Sequence, residues 1–217
     1  ASTGFAQKVG IGTTTPAFKL DVRNGSINTD SVYRILGGTF LSANAGNTLV
    51  GFGSGESITV GNNNVAIGDA MSFTTTGFLN TAAGWNALNN NIAGSHNVAI
   101  GDRALEYNTA SNNTAVGTNA LGFNTTATFN AAFGADALSI NTTGTKNTAV
   151  GFYALGTNGS GGENTAVGYN TLKFNTRWNN TAMGSEALAS STIGDFNSAF
   201  GRHALFSNTT GQLNTAI

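Results

Sequence analysis

The 217-residue chain has no cysteine, one proline and only two histidines. Without cysteine there is neither a disulfide framework nor a thiolate metal site. The histidines, His96 and His203, fall at different registers of the pattern described below, so a histidine metal cluster would need other chains. Charge is scarce too: Asp, Glu, Lys and Arg make up 9% of residues, against roughly 25% in ordinary soluble domains. A net charge of -1 leaves no basic footprint for nucleic acid. No apolar run reaches the length that spans a bilayer, so this segment is expected to insert into no membrane. Disordered chains combine high charge with no periodicity, and this chain has the reverse of both.

Glycine and asparagine dominate instead, glycine alone numbering 30. They recur on a period. An Asn-x-Ala-x-Gly cassette begins at Asn64, Asn80, Asn97, Asn113, Asn130, Asn147, Asn164, Asn180, Asn197 and Asn214, with Asn47 in the same register. The steps are 16 or 17 residues throughout, a regularity that marks a repeat architecture. Counting the asparagine as position 0, position +2 is alanine in every unit but the first, which has Leu49. Position +3 is always apolar, from Val50 to Ile217, and +4 is glycine. Leucine stands at +8 from Leu88 to Leu205, with Met71 in a shortened unit.

Alternation with a period of two predicts strands. Two short strands per unit, Asn-Thr-Ala-Val-Gly and Ala-Leu-x-x-Asn, are separated by corners at Gly +4 and Asn +11, residue types that tolerate left-handed backbone. Two strands and two corners make one coil of an all-β parallel β-solenoid, with about eleven coils over residues 47–217. Residues 1–46 do not repeat and read as a β-hairpin or connector turning at Pro16. The register-0 asparagines are expected to form an amide ladder. The +3 and +8 side chains are expected to face each other inside the coil. Position +2 would then point outward, making Ala66, Ala82, Ala99, Ala115, Ala132, Ala149, Ala166, Ala182 and Ala199 a flat uncharged strip suited to packing three copies together.

Catalytic patterns are lacking. The serines have no nucleophile elbow. The Gly-rich stretch Gly51–Gly61 lacks the Lys-Ser/Thr ending of a phosphate loop. Asp69 and Asp102 share a register without an Asp-rich calcium loop around them. The expectation is a non-enzymatic protein without cofactor or metal. The positions that vary from coil to coil, +5 and +6, hold Trp85, Arg103, Phe152, Tyr153, Tyr169, Arg202 and His203. Exposed aromatics on a rigid scaffold suit stacking on a sugar or docking on a receptor protein. Threonine recurs at +1, as on ice-binding solenoids, although Val65, Val98, Ala131 and Ser198 interrupt it. An end-to-end filament subunit is another alternative, because solenoid ends expose strand edges.

The stretch VGIGTTTP-x-x-KLDV, Val9–Val22, resembles the opening of many bacterial surface proteins and phage-type tail-fibre proteins. The coils, best in the NVAIG stretches at Asn64 and Asn97, resemble the head repeat of YadA-like trimeric autotransporter adhesins. The resemblance implies a homotrimeric β-roll, outside the cell, on its surface or on a phage-like particle, that presents a surface to a cell-surface glycan or protein receptor. The repeat here is longer than the adhesin one. Ending inside a coil at Asn-Thr-Ala-Ile, the chain is expected to be part of a longer polypeptide, and its opening ASTGFAQ resembles what a cleaved secretory signal leaves.

Overall fold

A computed structural model describes residues 46–217 in full and, before them, the backbone of four strands. The chain forms two compact units, Ala1–Val32 and Tyr33–Ile217. In the first, β1 (Val9–Ile11) pairs with β2 (Leu20–Val22) in parallel. Hairpin arms run antiparallel, so the expected hairpin is not formed by these strands. The turn expected at Pro16 lies outside the described residues.

A different hairpin opens the repeat region. β4 (Gly38–Asn44) pairs antiparallel with β5 (Asn47–Val50), with Asn44 opposite Asn47, and β3 (Val32–Ile35) edges the same sheet. The boundary expected between residues 46 and 47 therefore falls inside a hairpin. From β5 on, every strand is parallel: β6 (Val65–Ile67), β7 (Thr81–Ala83), β8 (Val98–Ile100), β9 (Thr114–Val116), β10 (Ala131–Phe133), β11 (Thr148–Val150), β12 (Thr165–Val167), β13 (Thr181–Met183), β14 (Ser198–Phe200) and β15 (Thr215–Ala216). Each cassette sits on its copy, with Ala132 opposite Ala149 and Ala149 opposite Ala166. Strand spacing of about 4.8 Å makes ten such steps a rod of about 50 Å. The repeat region is a parallel β-solenoid.

Its inside and outside are the reverse of the expectation. Ala66, Ala82, Ala99, Ala115, Ala132, Ala149, Ala166, Ala182 and Ala199 are wholly buried within their own chain. The +3 residues point outward, Ile67 being 47% exposed and Phe133 42%. The +1 threonines share that outer side, since strand residues two apart lie on one face. The alternation held and its sense did not. The coil is thin: from the second unit on, a single methyl from +2 meets Ala and Leu at +7 and +8, and only in the first unit does a larger side chain, Leu49, take the +2 place. The alanine row is core, not an interface between copies.

The second limb is not a strand. Ala87 and Leu88 are adjacent and both wholly buried, as are Ala137 and Leu138. Neighbours on a strand point to opposite faces, so a strand would bury only one of them. The chain instead turns through left-handed residues, Asp136 at φ 54° and Leu138 at φ 50°. For leucine that conformation costs about 1–2 kcal/mol, offset by roughly 1.5–3 kcal/mol from burying the side chain. The limb still bonds to both neighbouring coils: Leu138 N–H donates to Ala154 C=O at 3.0 Å, and Asp136 N–H to Thr118 C=O at 2.9 Å. At the preceding corner a Cβ on Gly134 (φ 134°) would lie 2.6 Å from Gly151 O. Backbones touch there, and only glycine fits.

Two asparagine rows close the coil. At register 0 the principal bonds differ from the expected amide ladder. The Asn130 side chain accepts from the Asn147 backbone N–H at 2.9 Å and donates to Gly144 C=O at 2.9 Å. Asn47, Asn64, Asn80, Asn97, Asn113, Asn147, Asn164, Asn180 and Asn197 repeat the pattern, and Asn214 donates its N–H to Asn197 Oδ1. Side-chain bonds between copies accompany it at some steps, such as Asn64 Nδ2 to Asn47 Oδ1 at 3.0 Å. The amide ladder is at +11 and runs from Asn91 to Asn175, with Asn124 Nδ2 donating to Asn108 Oδ1 at 2.7 Å, Asn141 to Asn124 at 3.0 Å and Asn158 to Asn141 at 2.8 Å.

Candidate functional site

With alanine, leucine and asparagine turned inward, chemistry is left to three outer sides of the coil. The strand side carries the +1 and +3 rows. Ile67, Ile100, Phe133, Val150, Met183 and Phe200 stand exposed there, each about one strand spacing from the next +3 side chain. The side following Asn +11 carries a threonine row whose hydroxyls turn to backbone: Thr109 Oγ1 donates to Thr125 C=O at 2.7 Å and Thr125 Oγ1 to Thr142 C=O at 2.9 Å.

The turn limb carries the seven corner residues, which the structure divides among three patches. In the first, the Arg103 guanidinium lies 4.8 Å from the Trp85 ring centre and its Nε 3.8 Å from Glu106 Oε2. Next along, Phe152 stacks on Tyr169 at 5.7 Å and 14°, Tyr153 leans on Phe152 at 6.0 Å, and Lys173 Nζ sits 4.8 Å over Tyr153. The third holds exposed Arg202 beside His203, whose Nε2 is 2.6 Å from Glu186 Oε2. Stacking explains the division, because residues of one register meet only when their coils adjoin. Two polar residues on this limb, Asn89 and Ser139, are buried. Asn89 accepts from Ser72 N–H at 3.1 Å, and Ser139 Oγ donates to Gly156 C=O at 3.0 Å.

Among the described residues, the hollows on the limb include two of different size. The larger, about 620 Å³, runs over the Trp85–Arg103 patch to Tyr107, Phe123 and Asp136. The smaller, about 160 Å³, lies between Lys173, Glu186 and Phe206. Sequence reasoning missed Tyr107, Phe123, Asn119 and Glu106 as a group. They come from +6, +9 and +10 of two coils, and the signal was that these registers also vary. Among the described residues no three His, Asp or Glu side chains come together to hold a metal ion. No helix there is long and apolar enough to cross a membrane.

Fold and surface together define a parallel β-solenoid repeat protein with an apolar strand side and a mixed aromatic and polar turn side. No known family, no curated protein and no solved structure matches the chain.

Proposed function

We propose that this chain is a rod segment of a homotrimeric extracellular fibre, of the tail-fibre or surface-adhesin kind. Copies associate through the strand side, and the turn side is presented to a target. One observation carries the reading: the exposed apolar +3 row beside the +1 row. A strip about 50 Å long and 10 Å wide amounts to about 500 Å², at the upper end of what a soluble monomer leaves exposed. The turn limb bears the aromatic patches around Trp85 and Tyr169, the Arg103–Glu106 and His203–Glu186 contacts and the two hollows described above. The trimeric number follows the resemblance of the Asn64 and Asn97 coils to adhesin-head repeats. Nothing in this role asks for catalysis or a cofactor. Sedimentation of the purified chain is the test: trimers at micromolar concentration are expected, and a stable monomer overturns the reading.

An ice-binding surface is the second reading. The +1 threonines face out, contrary to expectation, so Thr114–Val116, Thr148–Val150 and Thr165–Val167 place Thr and Val side by side on one flat side. Ala83, Phe133, Met183 and Phe200 make that side uneven, which suits interdigitation with another protein surface better than a planar lattice. A thermal-hysteresis assay separates the two readings.

A further inference from the structure

We infer that the larger hollow on the turn limb is a binding site for a neutral saccharide. This deepens the presentation role and rests on it for the outward placement of the limb.

The hollow, about 620 Å³, falls within the roughly 300–1,000 Å³ range of small-molecule sites. The other, at about 160 Å³, is too small for a sugar of more than one ring. Aromatic surface lies at both ends. Tyr107 and Phe123 stack one coil apart at 5.2 Å and 11°, each more than two-fifths exposed. Trp85 is half exposed across from them, with one side of its ring occupied by Arg103. Between the rings the lining is polar: Asp102, Asn119, Asp136 and Glu106. Asn119 Nδ2 already donates to Asp136 Oδ1 at 2.7 Å. That bond orients the pair and leaves the Asn119 carbonyl and the second Asp136 oxygen as acceptors.

Charge selects the ligand. Three carboxylates, Asp102, Glu106 and Asp136, meet one guanidinium, Arg103, which is already engaged by Trp85 and Glu106. An acidic sugar or a phosphate would meet net repulsion. Metal-bridged binding lacks its ligands, since among the described residues no three carboxylate or histidine groups, these three carboxylates included, come close enough together to hold a metal ion. A molecule with ring C–H faces for the aromatics and hydroxyl donors for the acceptors satisfies both kinds of lining, and hydroxyls bonded to carboxylates are among the stronger hydrogen bonds. A neutral sugar has both.

Saturation-transfer NMR on the full chain tests this, with glucose-, galactose-, mannose- and N-acetylglucosamine-based oligosaccharides, sialyllactose as acidic control and oligolysine as cationic peptide. Transfer to ring protons of at least one neutral oligosaccharide is expected. Affinity should fall about tenfold or more in Trp85→Ala, a half-exposed position whose loss removes roughly 1.4 kcal/mol of ring contact. The Asp102→Asn, Asp136→Asn double variant should lose affinity as well, and circular dichroism should show both folded. Transfer to no neutral sugar overturns the inference, as does binding unmoved in both variants. So does a preference for oligolysine that the double variant abolishes, which would make the hollow a cationic-peptide site. Sedimentation on the same samples keeps the outcomes apart: trimers without sugar binding refute this inference alone, and monomers refute the fibre reading.

Discussion

The +11 ladder is interrupted at Ser191, between Asn175 and Asn208, and mending that rung should stabilise the rod. Ser191 is wholly buried, and its hydroxyl is without a hydrogen-bond partner among the described residues. The backbone there is that of its neighbours. Asn175, Ser191 and Asn208 each donate N–H to the leucine three residues earlier, at 3.1, 3.1 and 3.0 Å. An asparagine at 191 therefore starts from the same place as those above and below. Its Nδ2 would reach Asn175 Oδ1 and Gly194 C=O, as Asn141 reaches Asn124 Oδ1 and Gly144 C=O at 3.0 and 2.8 Å. Its Oδ1 would accept from Asn208 Nδ2. Three bonds at about 1 kcal/mol each, less about 1 kcal/mol for ordering the longer side chain, leave about 2 kcal/mol. For a chain of this size that is a melting temperature roughly 4–8 °C higher. Ser191→Ala, which only removes the orphaned hydroxyl, should gain about 1 kcal/mol. Thermal denaturation followed by circular dichroism, at one protein concentration because association shifts the midpoint, should rank Asn above Ala above Ser. An asparagine variant that melts at or below the parent refutes the reasoning, because the ladder would then have no room at this rung.

The direction of the strand rows is tested by adjacent residues. Phe133→Glu should keep the circular dichroism spectrum and abolish association in sedimentation. Ala132→Glu, one residue earlier, buries an unpaired charge at a cost of several kcal/mol and should melt the surrounding coils. Asn130→Ala deprives the Asn147 N–H of its acceptor, whereas Gly144 C=O keeps a donor in Asn141. One orphaned amide costs about 1–3 kcal/mol, to be read from urea denaturation, with faster hydrogen exchange at Asn147. Gly134→Ala drives a methyl onto the Gly151 carbonyl and should cost about 2–5 kcal/mol from overpacking and backbone strain together.

The coil and its length were legible in the sequence because stacking is itself a spacing. Asn130 and Asn147 are copies in the chain and partners in space. What was not legible was sense. A period of two shows that Ala132 and Phe133 face opposite ways, and only the width of the coil says which one is inside. Choosing the larger side chain assumed a core of ordinary thickness. The second limb misled for a related reason. The adjacent pair Ala137–Leu138, both buried, was already inconsistent with a one-sided strand, but left-handed leucine is rare enough that its row goes unsuspected. The corner rings Trp85, Phe152 and Tyr169 were legible as exposed residues. Their grouping was not, because Tyr107 and Phe123 join Trp85 only through coils whose contact the repeat had first to establish.

Stacking also accounts for the scarcity of charge with which the sequence began. In this solenoid an outer side chain has its own register above and below it at about 4.8 Å. Two like charges at such a distance repel by roughly 1 kcal/mol even in water, and a full row multiplies the cost. Several of the charges among the described residues meet an opposite charge, a dipole or a ring. Lys146 Nζ lies 2.9 Å from Glu163 Oε1, Arg177 Nη2 lies 3.3 Å from Asp195 Oδ2, and Glu186 faces His203 from the coil below. Asp136 takes the Asn119 amide and Arg103 covers Trp85. The larger hollow departs from this habit. Asp102, Glu106 and Asp136 gather within three successive coils around a single guanidinium. The pairs at Glu163, Asp195 and Glu186 carry no such surplus of acceptors, which is the physical reason to look for the ligand at the larger hollow and not at the better-balanced patches around Tyr169 and His203.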